Sequence, residues 1–265
     1  MKRFVSFILP VLAAICLCAC LTQPIPTETQ IPTVTSQPTT VPTTQPETEP
    51  PTEPTQPEHS ALYIPGVSVE DVILYFNEVC LDAEYSTGVG DPSRVQKWAE
   101  PIFYEIKGNC TQQDVDTLET FAQWLNGIEG FPGIYPAQGD QPVNLQIHFC
   151  AGGEIPNILG SDFYGTDGGV TFWYRADKIY DATICYSTDV SQFVRNSVIL
   201  EEIFNGLGPV QDTWLRPDSI AYAGYSEPQS LTAVDELMLK LLYHPEIKPG
   251  MNAAQCEAVI RALYY

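Results

Sequence analysis

The chain has 265 residues, 12 Lys and Arg against 33 Asp and Glu, a formal net charge of −21 and 44% hydrophobic residues. So acidic a surface repels phosphate backbones and anionic lipid headgroups, which argues against any nucleic-acid partner. The length allows one domain of ordinary size beyond a leader and a linker.

Lys2 and Arg3 precede an apolar run over residues 4–17, which is shorter than the roughly 20 residues a membrane span needs and reads as an export signal. The run ends in Leu17-Cys18-Ala19-Cys20, which resembles a bacterial lipobox. That resemblance implies a signal peptide over 1–19, cleavage before Cys20 and diacylglycerol on the Cys20 thiol. Cys16 and Cys18 fit less well, because bulky Ile15 and Leu17 precede them. The expected location is the outer face of a bacterial cell membrane, with the membrane itself as a partner through the lipid anchor. Residues 22–59 consist largely of Pro and Thr, with five glutamates as the only acids, and cannot form a core. Cys20 and this stretch together (20–59) are expected to be a disordered stalk. At about 3.1 Å per residue it would span up to roughly 100 Å.

Residues 60–265 form the predicted folded domain, with 10 bases against 28 acids once Lys2, Arg3 and the stalk glutamates are removed. Its five cysteines, Cys80, Cys110, Cys150, Cys185 and Cys256, show no CxxC or CxxH spacing. A thiolate zinc site is therefore not expected. The odd count leaves at least one free thiol or an intermolecular bridge. Cys80 with Cys256, and Cys150 with Cys185, are conceivable pairs.

In chain order, residues 68–82 have helical spacing with Ser68 as cap. A polar loop over 85–92 follows, and residues 98–107 alternate as a strand. Thr111 opens a second helix that runs to about Asn126, with Gly127 as its stop. Residues 131–135 read as a short strand and 143–150 as a longer one, with His148 on its polar face. The glycine-rich stretch 152–169 matches no phosphate-binding or dinucleotide pattern. Strands are expected at 170–174 and 178–186, a helix at 194–208, and irregular chain at 209–229. A helix capped by Thr232 runs through Tyr243, and a last helix covers 253–264. These elements predict an α+β fold with a small mixed or antiparallel sheet backed by helices.

The helix over 194–208, VRNSVILEEIFNGLG, is the segment of most interest. It is apolar on nearly every side, as befits a protein interior, yet it carries adjacent Glu201 and Glu202, with Asn205 one turn beyond Glu201. A buried carboxylate must be neutralised, hydrogen-bonded or coordinated.

In register with the metzincin signature HExxHxxGxxH, residues 201–211 (EEIFNGLGPVQ) place Glu202 at the catalytic glutamate and Gly208 at the glycine. Glu201, Asn205 and Gln211 fall at the three metal-ligand positions. Downstream, Ser219-Ile220-Ala221-Tyr222 is similar to the turn beneath the metal in matrixin-like peptidases, with Ala221 in place of methionine. These matches imply a zincin-like scaffold in which Glu202 would be the base. More closely, ILEEIFNGLG, PDSI, LTAVDELMLKLLYHPEIKPGM and VQKWAEPIFYEIKG resemble the bacterial family called domain of unknown function 2927, whose members are often lipoproteins.

Asn205 and Gln211 offer only amide oxygens, which suit zinc poorly and suit hard ions such as Ca²⁺ or Mg²⁺ better. His59, His148 and His244 are not placed to restore the ligand set. The expectation is a binding module without zinc chemistry, with no cofactor and a peptide or cell-surface ligand. The alternatives are a hydrolase using Glu202 as base with a hard divalent cation or no metal, a structural acid pair held by Arg195, Arg216 or backbone amides, and a carbohydrate site using Trp173, Tyr174 and Trp214.

Overall fold

The computed structural model describes residues 60–81 and 94–265. The leader, Cys20, the Pro/Thr stretch and the predicted 85–92 loop lie outside the described residues. None of the described helices is long and apolar enough to cross a membrane.

Six helices and six strands follow one another as α1 (Val69–Leu81), β1 (Lys97–Trp98), β2 (Ile102–Gly108), α2 (Gln112–Leu125), β3 (Ile134–Pro136), β4 (Leu145–Cys150), α3 (Ile155–Leu159), β5 (Gly168–Arg175), β6 (Lys178–Ser187), α4 (Gln192–Gly206), α5 (Ala233–Tyr243) and α6 (Ala253–Leu263). The strands form one sheet in the order β1-β6-β4-β2-β3, with β5 also paired to β6. All pairings are parallel except the β5–β6 hairpin. The sheet is mixed and backed by helices, as one of the expected forms had it, but it is mostly parallel, which corrects the expected α+β class to α/β and excludes the antiparallel form. The direction is set by connections, because α2 carries the chain across between β2 and its parallel neighbours.

The sheet's two faces explain why its direction was misread. On β4, Leu145, Ile147 and Phe149 are buried, while Gln146, His148 and Cys150 on the second face stay half-exposed. A parallel sheet covered on both faces would show continuous apolar runs. Here the second face is covered at one end only, where Ile155, Leu159 and Phe163 close over Cys185 with Cys150 alongside.

The hairpin turns at Ala176 and Asp177, both with positive φ (50° and 61°), as a two-residue loop matched to strand twist requires. All five described cysteines are thiols. Cys150 and Cys185 are in hydrogen-bonding contact on the second face, and Cys80 and Cys256 are buried on α1 and α6, two helices that pack together.

On the main face α4 lies over β5 and β6 and against α2. It starts two residues earlier than its apolar pattern suggests, because the Ser191 side chain accepts from the Val194 N–H and caps it. Its terminal carbonyls are satisfied from outside the helix: Trp98 Nε1 donates to Gly206 O at 2.9 Å and Tyr243 Oη to Leu207 O at 2.7 Å. The chain leaves through Gly208, whose φ of +127° favours glycine. A Cβ there would also stand 2.3 Å from Gln96 O.

Two capping-box aspartates each hold a second element. Asp114 at the start of α2 accepts from Thr111 N and from Arg195 Nε of α4 at 2.8 Å, both within the fold. Burial works to raise the Asp114 pKa, but its donors, Arg195 foremost, hold it below the usual range. Asp235 at the start of α5 accepts from Thr232 N and also from Ser219 Oγ at 2.6 Å and Ile220 N at 3.2 Å. Tyr75 of α1 completes this cluster through its hydroxyl, which bonds both Ser219 and Asp235. Lys97 plays a similar part at the far end of α5, donating from Nζ to Leu242 O and Ile247 O; burial pulls its pKa down to about 8.

The seat of α4 on β5 depends on Gly168, where a Cβ would lie 2.3 Å from Val198 Cγ1 and 3.2 Å from Glu202 Cγ. Gly168→Ala is therefore expected to lift the helix and cost about 1–3 kcal/mol, read as a lower urea midpoint with an unchanged slope.

Candidate functional site

Adjacent helix residues point about 100° apart, and α4 sends its two glutamates to different places. Glu202 faces the sheet. It is 0% exposed, and neither of its carboxylate oxygens finds a hydrogen-bond donor among the described residues. Glu201 is half-buried and lines a small cavity together with Asp167, Asp212, Tyr222 and Tyr225. That cavity has about 30 Å³ of room for water-sized molecules, enough for one or two waters and far below a peptide side chain's needs.

Among the described residues no lysine, arginine or histidine lines it. Burial pushes the Glu202 carboxyl well above the carboxylate range, and the charges of Glu201 and Asp212 push it further. Burial and then Asp212 do the same to Glu201. Asp167, contributed by the glycine-rich stretch, is raised by burial as well.

The other predicted positions divide. Asn205 is buried at 2% exposure, one turn along α4, and does not line the cavity. Gln211 does not line it either. The backbone N–H groups of Val210 and Gln211 both reach Val79 O at the end of α1, at 2.9 and 3.3 Å, and Asp212 is the residue that borders the space. Ser219 and Ile220 are fully packed parts of the Asp235 cluster, so their role is to hold the turn. Tyr222 does reach the cavity. Its strand-like bridge to Thr213, with Thr213 N to Ala221 O at 2.8 Å, closes the base of the loop.

Neither arginine proposed to neutralise the acids is bonded to them: Arg195 bonds Asp114 and Arg216 bonds Asp218. This removes the reading of a structural pair held by those arginines, and no described donor replaces them at Glu202. His148 lies on the sheet's other face, where burial and Lys107 lower its pKa. His244 accepts from Glu246 N just after α5. Among the described residues no group of three His, Cys, Asp or Glu side chains is placed to hold a metal ion. Of the aromatics, Trp173 and Tyr174 are half-buried on β5, whereas Trp214 is 68% exposed and packs edge-on to Tyr222 at 5.5 Å.

Sequence reasoning missed Asp167 and Asp212, which come from irregular segments without periodicity. A wider recess of about 450 Å³ lies elsewhere on α4, over Phe121, Trp124 and Leu200, and none of the predicted site residues lines it.

The domain is thus an α/β fold whose central helix buries an acid with no donor among the described residues, beside a cavity rimmed with carboxyls. The chain belongs to the family described as "Protein of unknown function (DUF2927)", whose model matches residues 70–262. No curated protein and no solved structure matches it.

The raised carboxyls fix the sign of a pH effect. An acid whose folded pKa lies above its unfolded value near 4.3 favours the folded state at low pH, and this contribution is lost as pH rises through the folded pKa. Glu202→Gln removes the charge that must otherwise be buried. It should stabilise the domain by roughly 1–3 kcal/mol at pH 8 and leave it nearly unchanged at pH 4, as read from thermal melts at both values. Destabilisation at pH 8 would indicate that the Glu202 charge is bonded to a partner.

Proposed function

We propose that the chain is a lipid-tethered binding module at the outer face of the cell membrane, carried on a zincin-like frame whose metal set has been replaced. The frame reading is supported by the order of parts: a helix bearing EExxN, exit through Gly208, and a pinned turn over 219–222 that brings Tyr222 beside Glu201. The module reading rests on one observation above others. The residue in the position of a catalytic base, Glu202, is buried with no donor among the described residues and lies outside the lining of the cavity. A general base must come within about 3 Å of the proton it removes, directly or through one water.

The donor set agrees with this reading. Glu201, Asn205 and Gln211 would give one carboxylate and two amide oxygens, a poor set for zinc, and two of the three stand away from the cavity. A hard divalent cation held by oxygens is the cofactor alternative. The ligand is expected to be a peptide or another cell-surface molecule that meets the rim, because the cavity admits only a small group.

Two measurements test this. The protein purified without chelator should carry no stoichiometric transition metal, and neither wild type nor Glu202→Gln should cleave casein or a peptide library. Cleavage by wild type that disappears in the variant would establish the hydrolase instead. For location, radioactive fatty acid should label wild type and fail to label Cys20→Ala, with label retained by the variant refuting the anchor.

A further inference from the structure

The wider recess is built where α2, α4 and the start of α5 meet. From α2, Gln113, Thr117, Thr120 and Trp124 line it at three- and four-residue spacing, so one polar helix face with an aromatic end forms a wall. Asn196 and Leu200 of α4 line it from beneath, and Gln229, Ser230 and Leu231 close it from the segment ahead of α5. Phe121 and Leu200 are buried, and the half-buried Trp124 ring lies 5.9 Å from Phe121 at an angle of 31°. None of these residues borders the acid cavity. Trp173, Tyr174 and Trp214, the aromatics that the sequence suggested for a sugar, do not line the recess.

The charges here are already matched. Asp116 Oδ1 accepts from Gln112 Nε2 at 2.8 Å, and Glu236 pairs with Lys240 at 2.9 Å. Among the described residues no lysine, arginine or histidine lines the recess, so an anion would find no countercharge. What remains is a set of amides and hydroxyls oriented from within the fold. Asn196 Oδ1 accepts from Gln192 Nε2 at 3.0 Å, which leaves the Asn196 amide N–H groups as donors. Gln229 Nε2 donates to Phe193 O and Glu227 O, both at 3.1 Å, which leaves Gln229 Oε1 as an acceptor. Thr117 Oγ1 donates to Gln113 O at 2.9 Å and keeps its lone pairs.

Oriented donors and acceptors around an aromatic and aliphatic floor suit a sugar. Each sugar hydroxyl both donates and accepts, and the C–H face of a pyranose ring is apolar enough to cover an aromatic ring. A volume of about 450 Å³ falls within the roughly 300–1,000 Å³ of small-molecule sites. Peptides fit less well. An extended peptide is held by main-chain bonds at a sheet edge, whereas these walls are largely helices whose backbone groups are already bonded. An amphipathic helix would press an apolar stripe onto Gln113, Thr117, Thr120 and Asn196 and strip their water without replacing it.

We propose that this recess binds an uncharged saccharide. The C–H face of one sugar ring rests on Trp124 and Leu200, and its hydroxyls bond Asn196, Gln229 and Thr117. This is a second site, separate from the acid cavity and from the metallopeptidase-like frame. Two sources share the chemistry: a free oligosaccharide, and a unit within a glycan polymer.

The test uses the full chain in a detergent that carries no sugar. Calorimetric titration with cellotriose and triacetylchitotriose probes free sugars, and co-sedimentation with cellulose and chitin probes polymers. Saturable binding of at least one of these is expected, with sorbitol and trigalacturonate silent. Binding of the trimers assigns a free source, and retention on polymer alone a glycan. Trp124→Ala should weaken binding about tenfold or more, and Asn196→Ala several-fold. If Trp124→Ala fails to fold, Thr120→Arg places a long side chain across the recess from an exposed position. That variant should lose binding while its melting temperature stays unchanged. No saturable sugar binding, equal binding of sorbitol or trigalacturonate, unchanged affinity in the folded variants, or displacement of the sugar by acetyl-tetraalanine amide would each overturn the inference. Such failure leaves the module reading at Glu201 standing, and peptide cleavage that depends on Glu202 leaves the sugar site standing.

Discussion

A carboxyl group enclosed between a helix and a strand, with no donor to it among the described residues, is the constraint around which this domain is arranged. Glu202 can sit there because Gly168 has no side chain. Any larger residue at 168 would meet both Val198 and the stem of Glu202. Helix α4 is held in that close seat at both ends and from one side. Ser191 caps its start, Trp98 and Tyr243 satisfy its final carbonyls, and Asp114 of α2 grips Arg195. A buried acid without a partner opposes folding, so the surrounding structure must over-determine its position. Such local conflict with stability tends to mark places kept for function.

The two capping-box aspartates show how economically the fold is tied together. In each, a side chain that closes its own helix start also reaches a distant segment: Asp114 joins α2 to α4, and Asp235 joins α5 to the turn at Ser219 and Ile220. Satisfying several donors with one buried carboxylate offsets the cost of burying it. Tyr75 extends the second cluster to α1, so the base of the 213–223 loop is fixed from two helices at once.

Much of the architecture was legible in the sequence, and the failures have physical causes. The apolar residues spread around 194–208 announced a buried helix, and Thr111 and Thr232 announced helix starts. The parallel direction of the sheet was hidden because Gln146 and His148 lie on a face only partly covered, giving the alternation usual in antiparallel strands. Glu201 and Tyr222, both singled out in the sequence, do border the cavity. Asp167 and Asp212 were not, since nothing in local spacing tells where a loop will bring a side chain. The third ligand position fell on Gln211 by counting along a signature, but the hydrogen bonds from 210 and 211 to Val79 set the local path so that the next residue borders the cavity.

The loop over 213–223 has a consequence beyond this chain. Its root is locked by the Thr213–Tyr222 bridge and by Asp235, yet Trp214 and Leu215, the two residues directly after Thr213, keep their side chains exposed. Because the backbone bonds of the root supply the anchoring, the exposed side chains at 214 and 215 are free to change character while the skeleton under them is kept, much as loop residues vary on an immunoglobulin sandwich.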